Sequence, residues 1–141
     1  MSTRQLYTPE VLAAAVSLAR YPLGADLTLR GEARSPSCGS RIEVGLALDG
    51  EGRIARVGLA SHACAIGQAS AAIFAQGAIG LSQGEVADAL GAMRAWLGGE
   101  GAMPQWPGIG LVAAARDYPA RHGAMLLAWN AADKAFCAVR A

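Results

Sequence analysis

The residues of this chain best suited to bind a soft metal or carry sulfur are its three cysteines and two histidines. The thiolate is the form of cysteine that ligates metal or attacks sulfur. Cys38 sits in "SPSCGSRIEV", between a Ser-Pro-Ser turn and Gly39, where an alternating strand begins. A loop there exposes the thiol, and the glycine lets backbone approach a bound atom closely. Cys64 lies in "ASHACAIGQAS", at the passage from a strand into a helix. Free amides and partial positive charge at a helix start favour a thiolate. Two thiols at strand ends on one edge of a small sheet can converge. The alternative is that both are small apolar fillers, and residue chemistry alone leaves the two readings open. The cysteine count is odd, the spacing is wide and no CxxC pair occurs. The count and spacing argue against a disulfide framework, and the missing CxxC excludes an ordinary zinc ribbon.

The elements that must position these thiols follow from periodicity. Thr8-Pro9-Glu10 opens a first helix, with Thr as N-cap and Pro at the first helical position, and Pro22 ends it near Tyr21. Val11, Ala15 and Leu18 give it a modest apolar stripe. Three strands follow: "DLTLRGEA", "RIEVGLAL" and "RIARVGL". Ile42, Val44, Leu46 and Leu48 alternate onto one face, and "DGEG" at 49–52 is a turn, so the three read as an antiparallel meander. The remainder reads as helix. "CAIGQASAAIFAQG" forms one. Ser82 and Glu85 have the spacing of a capping box ahead of the stripe Val86, Leu90, Met93, Leu97. A breaker-rich loop spans 98–108, with "WPG" at 106–108 as a turn. A short helix covers 109–116, and a last helix covers about 120–138 with Met125, Trp129, Ala132 and Phe136 at helical spacing. Strands first and helices after predict an α+β domain, a three-stranded antiparallel sheet with helices packed on one face.

Composition narrows the function. The chain has 141 residues, 53% of them hydrophobic, which suits a single domain over 1–141. The net charge is +1 with no basic run, so nothing predicts nucleic acid binding. No stretch reaches the about 20 apolar residues of a membrane span. The N-terminus lacks the order of a signal peptide, so a soluble cytoplasmic protein is expected. No GxGxxG, P-loop, Ser-His-Asp order or carboxylate pair stands out, which leaves hydrolytic chemistry without support.

"SPSCGSRI" resembles the "NPxCGD" motif of the IscU/NifU N-terminal-type iron–sulfur cluster assembly scaffolds, and "ACAIGQASAAI" resembles their second motif. "LYTPEVL" is similar to the family's first helix. "YPARHGAMLLAWNAA" is similar to its last, written R-x-x-C-x-x-L-x-W. The resemblance covers nearly the whole chain and implies the SufE/NifU-like fold. It also implies a binding and transfer protein, not an enzyme. Such a protein assembles a 2Fe–2S cluster, or holds iron or zinc in its absence. It takes sulfur as persulfide from a cysteine desulfurase and passes the cluster to acceptor proteins, as a monomer or weak homodimer. Carried over by position, the first two thiolate ligands are Cys38 and Cys64.

Two positions depart from the family pattern. Its motif aspartate is Ser40 here, and its third cysteine is Ala124. A cluster or tetrahedral zinc wants four ligands, mostly thiolate for the cluster. His122, close to the missing cysteine, is the substitute that completes the metal set Cys38, Cys64, His122; its alternative is a surface histidine at a helix start. His62, two residues before Cys64, either joins it or faces solvent, and Asp117 is a further oxygen donor. Cys137 lies about 20 Å along the helix from Ala124 at the standard rise, and is expected to pack as a small hydrophobe near Phe136. Two further readings stay open: a persulfide-accepting sulfurtransferase partner of a desulfurase, and a degenerate regulatory homologue without a cluster.

Overall fold

Alternation along the strands decides which side of the sheet becomes core. The computed structural model describes residues 6–36 and 39–138. Helix α1 (Pro9–Ser17) and a 3-10 turn at Leu18–Arg20 precede β1 (Leu29–Arg34), β2 (Arg41–Leu48) and β3 (Ile54–His62). Then come α2 (Ala65–Ala78), α3 (Gln83–Leu97), 3-10 segments at Ile109–Asp117 and Pro119–Arg121, and α4 (His122–Cys137). The sheet has the order β1-β2-β3 and is antiparallel throughout, the predicted α+β meander. Ile42, Val44 and Leu46 are fully buried on one face, opposite Ala33, Gly31 and Leu29 of β1. Helix α4 lies against that face. It comes so close that a Cβ on Gly31 would overlap the Ala131 carbonyl and sit 2.6 Å from the Ala135 nitrogen.

Among the described residues, irregular chain and not a helix lies above the centre of the other face. Gly45 and Gly58 pair in register there, and chain segment 22–27 is laid over them. A Cβ on Gly45 would meet Leu23 and Leu27, and one on Gly58 would overlap the Pro22 carbonyl. Two side-chain-free positions thus let irregular chain cover a sheet face. Arg30 ties the segment down, donating from Nε to the Leu27 carbonyl at 2.6 Å.

Helix α2 is apolar nearly all round, as a helix at the centre of a core must be. Its buried residues run from Ile66 to Ala78, and α1, α4 and β3 surround it. Phe74 stacks on Trp106 with centroids 5.5 Å apart, and Trp129 meets both rings edge-on. The 106–108 turn forms as expected, closed by the Ile109 amide donating to the Trp106 carbonyl at 3.2 Å, and its first residue enters the core. The Trp106 indole is buried and donates to the Ile73 carbonyl at 2.9 Å, lying over Gly77 where any side chain would collide with it. Among the described residues no helix is long and apolar enough to cross a membrane.

The capping box at α3 is complete. Ser82 Oγ accepts from the Glu85 amide at 3.3 Å, and Glu85 accepts from the Ser82 amide at 3.1 Å and from Arg53 at 2.8 Å. The Ser82 amide foremost, then Arg53, holds the Glu85 carboxyl below its ordinary value near 4.5. A depressed carboxylate stabilises the fold above its unfolded value and loses that contribution as pH falls through the folded one. Ser82→Ala is therefore expected to cost about 1 kcal/mol at neutral pH. Glu85→Gln is expected to flatten the fall of Tm on acidification below about pH 5, in the window between those two values. Thermal melts across pH check both. A Glu85→Gln profile that falls as steeply as the parent's would contradict the second.

Candidate functional site

Three connections meet at one end of the sheet. Arg34 pairs with Arg41 and Arg41 with His62, so the β1–β2 loop and the end of β3 are adjacent. The loop is closed on itself, with the Ser35 amide donating to the Ser40 carbonyl at 2.8 Å and the Gly39 amide to the Ser35 carbonyl at 2.9 Å. Gly39 takes φ 71°, which a residue with a Cβ adopts at a cost. Cys38 itself lies outside the described residues. Its neighbours Gly39 and Ser40 border a polar depression of about 530 Å³, shared with Ser61, His62, Cys64 and Arg121.

Cys64 is the N-cap of α2. Its backbone is extended there (φ −65°, ψ 170°), its carbonyl accepts the Gln68 amide at 2.9 Å, and its half-buried thiol caps no amide. The thiol is thus left for other chemistry. Gln68 at the same edge donates to the Ala63 carbonyl at 2.9 Å. Ser61 Oγ is buried and has no hydrogen-bond partner. His62 is exposed at the strand end, as its solvent-facing reading had it, and borders both this depression and a second one with Glu32, Arg41 and Glu43.

The last helix also reaches this end. Ala124 is buried against the first turn of α2, where a Cβ on Gly67 would lie 3.5 Å from the Ala124 Cβ. His122 has a different employment. Its Nε2 lies 2.6 Å from the Arg116 carbonyl, which only accepts, so Nε2 carries the proton and Nδ1 alone remains for another partner. His122 does not border the Cys64 depression; Arg121 does. Asp117 is exposed. Among the described residues, no three His, Cys, Asp or Glu side chains are grouped to hold a metal ion.

Cys137 is corrected by the structure. It is exposed, with its sulfur 3.9 Å from Gln83 Nε2, while Phe136 beside it is buried. One helical step rotates the side chain by about 100°, so a neighbour of a core residue need not share its face.

Similarity to solved structures spans the chain. A nitrogen-fixing NifU-like protein (N-terminal) from Brucella abortus superposes with TM-score 0.85 and 27% identity, over 97% of this chain and 96% of that one. The chain resembles the IscU/NifU N-terminal-type family in fold over nearly its whole length. A candidate iron–sulfur cluster assembly scaffold protein for the SUF system from the thermophile Fervidobacterium islandicum AW-1 shares the fold, with TM-score 0.83 and 21% identity over 96% of this chain and 99% of that one. No protein-family model matches the chain, and no curated protein is significantly similar to it. Within the family pattern, Arg121, Leu127 and Trp129 keep the third motif while Ala124 departs from it, and Ser40 departs from the first. Arg121 is the site residue that sequence reasoning passed over. The signal was the arginine of that same motif, there to be asked about as a functional group.

Proposed function

We propose that this chain is an iron–sulfur cluster assembly scaffold-like protein that takes sulfur, and iron or a 2Fe–2S cluster as cargo, through Cys38 and Cys64. The observation that carries the reading is the position of Cys64. Its uncommitted thiol caps α2 beside the loop whose Gly39 and Ser40 border the same depression. Donors at such a shallow, polar sheet end can receive cargo from one protein and release it to another. The partners are a cysteine desulfurase and cluster-acceptor proteins, in the cytoplasm, and zinc occupies the thiols when iron is absent. His122 joins the metal set only through Nδ1. Binding and transfer, without turnover, is the whole of the activity.

One observation favours a second reading, sulfur acceptance without a stable cluster. Among the described residues no carboxylate borders the Cys64 depression, and alanine stands where the family has its third thiol. Two thiolates leave a cluster short of its ordinary four ligands. Anaerobic reconstitution with ferrous iron, sulfide and a desulfurase, followed by absorbance and by iron and sulfide assay, separates the readings. Ser40→Asp with Ala124→Cys restores two anionic donors and is expected to raise cluster occupancy several-fold. Equal occupancy in parent and double variant would mean that other ligands hold the cluster.

A further inference from the structure

The outer face of α1 is apolar where a solvated helix would be charged. On it Leu12 is 46% exposed and Val16 76%, one turn apart on a single stripe. Ala13 and Ala19 are exposed beside them. The exposed charges stand only at the two ends, Glu10 in the first turn and Arg20 in the last. Neither forms an ion pair with a described residue. Single exposed apolar residues need no explanation, but a stripe along two turns does. Beside it Val16, Ala19, Pro22 and Leu59 wall a depression of about 450 Å³. Ser61 and Gln68 border both this depression and the one at Cys64.

We propose that a second copy of this chain docks on this face, its α1 running antiparallel across α1 about a two-fold axis. This goes beyond the cargo reading and does not depend on it. Helix geometry carries the choice of occupant. An axis at the level of Ala14, midway between Leu12 and Val16, makes the surface self-complementary. At about 100° and 1.5 Å per residue, Leu12 of the second copy comes level with Val16, on the flank that opens into the depression. On the opposite flank, Glu10 of the second copy comes within about 5 Å of the height of Arg20. Each copy thus offers an acid where the other offers a base, and the pairing occurs twice. A parallel arrangement would set Glu10 level with Glu10 and Arg20 with Arg20, and align the two helix dipoles, all of which repel. The stripe supplies the attraction, and the end charges fix the direction. One short helix from each copy buries less than the about 1,200 Å² of a stable interface, so the dimer is a weak one. Each of its two grooves adjoins a Cys64 depression.

Sedimentation velocity of the full chain under reductant, over roughly 10–1,000 µM, reads the association. The parent is expected to pass from monomer toward dimer across that range. Val16→Asp, at an exposed position, is expected to weaken association about tenfold or more, because the contact would bury a carboxylate. Leu12→Asp on the same stripe serves in its place if that variant fails to fold. Glu10→Arg and Arg20→Glu are each expected to weaken association several-fold, since each sets like charges across the axis. An equimolar mixture of those two variants is expected to restore dimer at least to the parent's level, because one copy then carries two bases and the other two acids. The mixing arm separates pairing between copies from the service each charge gives the dipole of its own helix. Thermal melts establish that every variant is folded. A parent that stays monomeric throughout overturns the proposal and leaves the stripe to a different partner. A dimer that the stripe variants leave intact places the contact elsewhere and overturns it as well. A dimer lost in the stripe variants, with a mixture no better than its parts, overturns the antiparallel pairing.

Discussion

Cys64→Ser is expected to abolish cargo binding, lowering zinc affinity on the order of a hundredfold, if the binding energy of a thiolate site is shared among its ligands. Cys64 lies two residues past the end of β3 and caps α2, and its thiol satisfies no backbone amide. Serine caps helices well, so the substitution leaves the fold intact or slightly firmer while removing the soft donor. The effect therefore appears in metal or sulfur content and not in Tm. Cys38→Ser is expected to act alike, since the family pattern makes it the companion ligand. Cys137→Ser is the control. That thiol is exposed at the far end of α4, beside Gln83, and its loss should change neither binding nor stability. Metal titration and persulfide mass of the three variants check the set. Retained binding in Cys64→Ser, or lost binding in Cys137→Ser, would move the site elsewhere.

Trp129→Ala is expected to be the most damaging core substitution, at about 3–5 kcal/mol. Trp129 is fully buried and joins α4 to both Phe74 of α2 and Trp106 of the 98–108 loop. Truncation leaves a void between rings that cannot collapse without moving two elements. At about 2–4 °C per kcal/mol for a chain near this size, Tm should fall by roughly 10 °C. Trp129→Phe should cost far less. The indole Nε1 of Trp129 is buried without a partner, so phenylalanine keeps most of the ring and removes an unsatisfied donor. Equal losses in the two variants would show that ring volume is not what the core requires.

Much of this architecture was legible from residue types. Strict alternation from Ile42 to Leu46 gave β2 its bounds and its buried face, because side-chain period is set by backbone geometry alone. The capping box at Ser82 and the stripe Val86, Leu90, Met93, Leu97 are likewise local, and they formed where the spacing put them. The place of Cys64 at a helix start was readable in the same way. What the sequence could not decide was which distant groups share a surface. Trp106 was readable as the start of a turn, but not as a core residue, because Gly77 and Phe74 provide its pocket from a distant helix. Gly45 and Gly58 looked like interruptions of strands, and pairing in register made them a seat for segment 22–27. His122 and Arg121 are neighbours in sequence, yet the path of the chain into α4 turned the imidazole to the Arg116 carbonyl and left Arg121 at the border of the Cys64 depression, its guanidinium meeting the Tyr7 hydroxyl. Local periodicity determined the elements and one end of the site. The direction of each side chain at a helix entry, and with it which groups border the Cys64 depression, came only from how the elements pack.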